Sequence, residues 1–262
     1  MNEVFNFRRF GLYTAKTIFE RPVQLLGTFV LSYSVATLIY FLLKSMGNFE
    51  VAQLLAFSIG LVGGGCLLAS LVFGYFSDMA SGASYLTLPV SALEKWLCAV
   101  LLVGLYTGCF LLFFRELDRL FVHIYHSSLN KQDPRYQNQY NAVYIFRYFD
   151  ESLEVFVFFL NAVTAMLVGS LFFNRVSFIK VSLVLCGLYF FTFFLNYIIG
   201  SILFKGMVRS FPFHSLSIRN GKEVGILVMP PAWSRLNDLI SIYILPGILL
   251  LVSYIRLKEK EI

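Results

Sequence analysis

Six stretches of this 262-residue chain, at about 24–43, 51–76, 96–114, 155–173, 181–204 and 238–255, run apolar without interruption. Each is about long enough to cross the hydrocarbon core of a bilayer as a helix, roughly 20 residues at 1.5 Å rise. Inside lipid a backbone must bond to itself, so the runs predict an all-α polytopic membrane protein with six transmembrane helices. Composition agrees: 58% of residues are hydrophobic, 14% are charged, and the mean hydropathy is +0.73, far from soluble domains. The net charge of +6 then belongs to loops and ends, where it suits an anionic membrane surface rather than nucleic acid.

Small residues mark where the spans approach one another. Ala56, Gly60 and Gly64 recur at four-residue spacing in the second run, and Gly104 and Gly108 in the third, which predicts packing faces within the chain or between protomers. Pro246 inside the sixth run predicts a kink, with the freed carbonyl taken up by a neighbour or a water. Asn161, Thr164, Asn196 and Tyr197 are polar positions inside spans, candidates for helix-to-helix hydrogen bonds or for a substrate path. The apolar cores contain no Asp, Glu, Lys, Arg or His, which disfavours a self-contained proton pump, although a sodium site of carbonyls and hydroxyls stays open. Cys66, Cys98, Cys109 and Cys186 lie within the runs without close pairing and read as small packing residues with free thiols.

The connections are expected to carry the remaining structure. In residues 1–22, Val4, Phe7, Phe10, Gly11 and Ile18 share one side of a helical wheel and Arg9, Lys16 and Glu20 the other, which predicts an interfacial helix. The first long run is too long for the apolar core of a cleaved signal peptide and lacks an Ala-x-Ala end. After the third run, Leu117, Leu120, Phe121 and Ile124 share a face, so that helix runs on or bends into an interfacial one; Asn130–Arg135 reads as an open loop. Asp150, Glu151 and Glu154 suit the start of the fourth helix. Asn220-Gly221, between the β-prone runs 216–219 and 223–228, predicts a small two-stranded hairpin closed off by Pro230-Pro231. Trp233 and Arg235 then read as an interfacial anchor.

Lys and Arg totals do not orient the spans: ten fall on one side and eleven on the other. Weighting the first helix, preceded by Arg8, Arg9, Lys16 and Arg21, places both termini in the cytoplasm. Segments 115–154 and 205–237, including the hairpin, are then extracytoplasmic. The chain holds no Gly-x-x-x-x-Gly-Lys-Ser/Thr phosphate loop, no His-Glu-x-x-His and no Gly-x-Ser-x-Gly, so no recognisable nucleotide-binding, metalloprotease or hydrolase site appears and an enzyme ranks last. His123 and His126 could share a metal, but without a third ligand they read as solvated residues.

The polar interruption Ser84–Trp96 carries the most local information. Pro89 stops a preceding helix, and Ser91 with Glu94 three residues on makes a capping box, so a short helix is expected from Ser91 to Trp96. Leu88-Pro89-x-Ser91-x-x-Glu94-Lys95 also resembles the segment that ABC-2-type export permeases carry between their second and third membrane helices. That resemblance implies a bacterial inner-membrane permease subunit with an amino-terminal elbow helix and a cytoplasmic coupling segment, here 77–95. It implies docking of Leu88, Pro89, Ser91, Leu93, Glu94 and Lys95 on a separate ATP-binding subunit, with Glu94 and Lys95 as polar contacts and 174–180 as a second inner connection. ATP and magnesium would then reside in the partner, with no cofactor in this chain. Lipids, amphipathic drugs or peptides would leave between two permease chains, identical or different. The alternatives are a stand-alone secondary carrier or channel and a non-transporting membrane scaffold.

Overall fold

The computed structural model describes residues 5–20, 22–45, 49–77, 88–129, 149–173, 176–203, 207–211, 215–220, 223–228 and 230–260. The expectations for Val4, Ser84–Thr87, the Asn130–Arg135 loop, Asn174 and Gly221 lie outside these residues, as do the side chains of Asp150, Glu151 and Glu154. Helix α1 spans Phe7–Glu20 and α2 Pro22–Ser45, α3 covers Phe49–Val72, and α4 covers Ala92–Ser128. Then follow α5 at Phe149–Phe172, α6 at Ser177–Leu203, three strands, and α7 at Ala232–Glu259. The six helices from α2 to α7 are long and apolar enough to cross a membrane.

Consecutive spans alternate in direction. Phe49 at the start of α3 lies against Tyr40 near the end of α2, whereas Trp96 at the start of α4 donates to Ser253 Oγ near the end of α7 at 2.8 Å. One end of the bundle therefore gathers α1, the start of α4 and the end of α7. Helix α4 runs unbroken for 37 residues, about 55 Å at helical rise, well beyond a hydrocarbon core of about 30 Å. The separate short helix expected at Ser91–Trp96 is thus the first turn of this long one, because nothing between Ala92 and Gly104 interrupts helical bonding.

An aromatic seam joins α2, α3 and α4. Tyr106, Phe110, Phe114, Phe121 and Tyr125, spaced four or seven apart, share one face of α4. They meet Phe29, Tyr33 and Tyr40 of α2 and Phe49 and Phe57 of α3, with Tyr40 stacked on Phe121 at 4.3 Å and Phe49 on Tyr125 at 4.4 Å. Bulky rings on one helix need small residues opposite. Gly60 lies against Phe110, and Gly64 against Tyr106 and Ser32, so closely that a Cβ at either would collide. Gly104 and Gly108 instead face open space, because the rings of α4 occupy its packing side. Their expected packing role within the chain is not realised.

Two spans widen by one residue into a π-type turn, Ile59–Gly63 in α3 and Ile240–Ile244 in α7, and each answers to a neighbouring helix. Tyr106 donates its hydroxyl to the Gly60 carbonyl at 2.7 Å. In α7 the cause is Pro246. Leu245 N–H reaches back five residues to Ile240, and in that register Pro246, lacking an N–H, orphans the Ser241 carbonyl. Asn161 Nδ2 of α5 fills the gap at 2.8 Å. The neighbour expected to satisfy the proline is therefore one of the polar residues placed inside the spans.

Between α6 and α7 lies an antiparallel meander of three strands, β1 (Met207–Phe211), β2 (Ser215–Asn220) and β3 (Glu223–Val228), in that order. Asn220 stands opposite Glu223 in the β2–β3 register, and an irregularity in β1 between Met207 and Arg209 shifts its pairing with β2. The sequence signal covers β2 and β3; β1 adds an edge strand not anticipated, since its short run lacks a turn dipeptide. The glycine packing gives a direct test. Gly64→Ala should lower stability by roughly 1–3 kcal/mol through overpacking, whereas Gly63→Ala, with nothing within 4 Å of the added carbon, should be neutral or slightly stabilising; thermal unfolding in mild detergent compares the two.

Candidate functional site

The capping box at the start of α4 is present, and it reaches further than its own helix. Ser91 Oγ accepts from Glu94 N–H at 3.3 Å, and the Glu94 carboxylate accepts from Ser91 N–H at 3.0 Å. The same carboxylate accepts the Asn6 backbone N–H at 2.7 Å. Asn6 in turn caps α1, its Oδ1 accepting from Arg8 N–H at 3.0 Å and Arg9 N–H at 3.3 Å. One acidic side chain thereby supports the amino-terminal ends of two helices, where negative charge is favoured. Arg9 closes the arrangement with a fork: its Nε lies 2.8 Å from Glu94 Oε2 and its Nη2 2.8 Å from Oε1. Such a bidentate guanidinium pair is the strong kind of charge-assisted bond.

Burial decides what this pair can do. The Glu94 side chain has no exposed surface and Arg9 is 34% exposed, while Lys95 is 1% exposed. Glu94 and Lys95 therefore do not offer the polar docking contacts expected of them: α1 covers Glu94, and both side chains lie inside the fold. Leu88 and Val90 pack half-buried against the core, Leu93 is half-buried, Ser91 is taken up by its cap, and Pro89 stays exposed. Along α1, Tyr13 and Thr17 are buried and Phe10 packs against the core, whereas Phe7 on the apolar side of the wheel is exposed. At the connection into α6, Val176 holds a positive φ of 54°, a backbone that β-branched residues avoid and that costs about 1–3 kcal/mol.

A second polar centre lies toward the other end of α4. Asp118 is 5% exposed and accepts from the Tyr40 hydroxyl at 2.8 Å and from Gln53 Nε2 at 2.5 Å, so that one carboxylate ties α2, α3 and α4 together. Lys44, one turn beyond Tyr40, sits over the Phe121 ring at 5.3 Å. Ending the third apolar run at residue 114 hid this group; in the structure the helix continues and buries it. The available signal was Asp118 set among Leu117, Leu120 and Phe121. The partner Arg9 had no such signal, since 85 residues separate it from Glu94.

The four polar positions within the spans are not gathered into one site. Asn161 bonds to Ser241 and to Val157 of its own helix, and its buried Oδ1 has no partner among the described residues. Thr164 donates to the backbone of its own helix, while Asn196 is half-buried and Tyr197 exposed on α6.

The class defined by this arrangement is a helical protein with six helices able to cross a membrane, whose amphipathic leading helix is ion-paired to the first turn of the third of them. Compared with known protein families, with curated proteins and with solved structures, the chain matches none. For the second centre, Asp118→Ala should destabilise the bundle by about 2–4 kcal/mol, because it leaves the Tyr40 and Gln53 donors unpaired in a buried site. Asp118→Asn, which keeps an acceptor, should cost less, and the order of unfolding midpoints in detergent checks this.

Proposed function

We propose that the chain is the membrane-spanning permease subunit of an ABC-2-like exporter, working with a separate cytoplasmic ATP-binding subunit and a second permease chain. The observation that carries the reading is the junction at the start of α4. Arg9, Asn6 and Ser91 converge on Glu94 and make α1, the Leu88–Ser91 turn and the head of a 37-residue helix into one unit. A push on the 77–95 connector by a partner would then move a whole span rather than a loop. The strained Val176 at the second connection of the same end supports a second point of force, since strain of this kind persists where surrounding structure holds it for use.

In this reading the bundle end bearing α1 is cytoplasmic, α1 lies in the membrane interface, and the three-stranded sheet is extracytoplasmic. Docking falls to the exposed Pro89 and the residues before it, with Glu94 and Lys95 shaping the turn from inside. Asn161 serves as the partner of Pro246 rather than as a substrate ligand. The exposed apolar faces of α6 and α7 suit lipid and a second permease chain, and an apolar cargo such as a lipid, amphipathic drug or peptide.

A second reading, a stand-alone carrier, draws on Asp118, since a buried carboxylate between spans is a common place to bind and release a driving cation or proton. Affinity purification of the tagged protein from its native membrane, with co-purifying chains identified by mass spectrometry, separates the two. A stoichiometric ATP-binding chain that is lost in Pro89→Asp, while the variant remains folded, is the expected result. An intact oligomer without any such chain would overturn the permease reading and leave the carrier.

A further inference from the structure

We propose that the groove between α1 and the Leu88–Val90 turn binds the headgroup of an anionic phospholipid, whatever the chain transports. The groove is lined from one side by Arg8, Arg9, Leu12 and Lys16 of α1 and from the other by Pro89 and Val90, and no carboxylate is among its lining residues. Arg9 is committed to Glu94 behind the groove wall. Arg8 and Lys16 supply the excess charge: among the described residues Lys16 pairs only with Glu20, at 4.0 Å, an exposed pair one helical turn apart that binds little of its charge.

The spacing of these residues selects a lipid over other anions. Arg8, Leu12 and Lys16 follow at i, i+4 and i+8, so a cation, an apolar side chain and a cation form one stripe along the helix. Leu12 is 66% exposed, and Phe19, which the helical phase places on the same stripe, is 79% exposed. Two cations about two turns apart, roughly 12 Å along the helix, can flank a phosphate, and the leucine and ring beside them can cover acyl chain, as long basic side chains do at a bilayer surface. A free phosphate would leave that apolar flank bare, and an acidic peptide would leave the outward Phe19 in water. Position agrees, because α1 leads directly into Pro22, where the first bilayer-length helix begins, at the height where headgroups lie.

The test uses the full chain in mild detergent, titrated with phosphatidylglycerol or phosphatidylcholine and read by native mass spectrometry. Phosphatidylglycerol should be retained in preference. Arg8→Gln and Lys16→Gln should each weaken its retention about fivefold and the pair roughly twenty-five-fold, since each basic residue near an anionic surface contributes about 1 kcal/mol. Neither should change the unfolding midpoint measured without lipid, because both side chains are solvent-facing. Equal retention of the two lipids, or retention unaffected by both substitutions, would overturn the proposal. So would displacement by inorganic phosphate at matched concentration, which would make the site a phosphate site. Loss of a co-purifying protein from the double variant with lipid retention intact would equally overturn it and make the groove a protein-docking surface.

Discussion

A carboxylate with no exposed surface, in the first turn of a helix and beneath another helix, is costly unless every lone pair is answered. At Glu94 two backbone N–H groups and a bidentate guanidinium answer it. Most of what distinguishes this protein from a plain bundle of apolar helices depends on that solution. It seats α1 against the start of α4, with Arg9 on Glu94 near one end and Thr17 lining a common cavity with Leu25 and Leu102 near the other. It also starts α4 at a defined residue, so that Trp96 is presented to Ser253 and the end of α7. Remove Arg9 and the Glu94 charge is left without its countercharge where none of its surface reaches solvent, so breaking the pair costs more than the pair itself contributes to net stability.

Lipid supplies no hydrophobic drive between helices, so the spans rely on close packing and on hydrogen bonds across the bundle. Both devices are present and they coincide. The rings of α4 seat over Gly60 and Gly64, and the same Tyr106 that lies over Gly64 donates to the Gly60 carbonyl within the widened turn. Asn161 does for α7 what Tyr106 does for α3. Asp118 closes the far end of the α2–α3–α4 group with two bonds. By contrast, α6 buries only Val181 and Gly200 of its 27 residues, which leaves it the span with most of its surface free for lipid or a second chain.

Much of this was legible in the amino-acid sequence, and what was not has physical reasons. Six apolar runs read directly as six long helices because bilayer thickness and helical rise leave few other options. The cap at Ser91 was visible because capping is local: Ser91 and Glu94 are three residues apart. The partner of Glu94 was not, since Arg9 comes from the opposite end of the sequence and only the fold brings it there. For the same reason Glu94 and Lys95 read as surface charges when they are buried. The third apolar run ends at residue 114, with the helix expected to run on or bend from there, because Arg115, Glu116 and Arg119 look like a membrane exit. Those three do face outward, but Asp118 between them points into the bundle, so a count of charges missed what a helical phase would have shown. The pairing of Pro246 with Asn161 lay between: a freed carbonyl was predictable, its donor was not.

The measurement that tests this account most directly is a double-mutant cycle on Arg9→Ala and Glu94→Ala, read by reversible unfolding in mixed micelles. If the buried pair fastens α1 to α4, the two losses should be strongly non-additive, with a coupling of about 2 kcal/mol or more. Losses that simply add, within about 0.5 kcal/mol, would mean that α1 is held by its apolar contacts alone and that Glu94 does not organise this end of the protein.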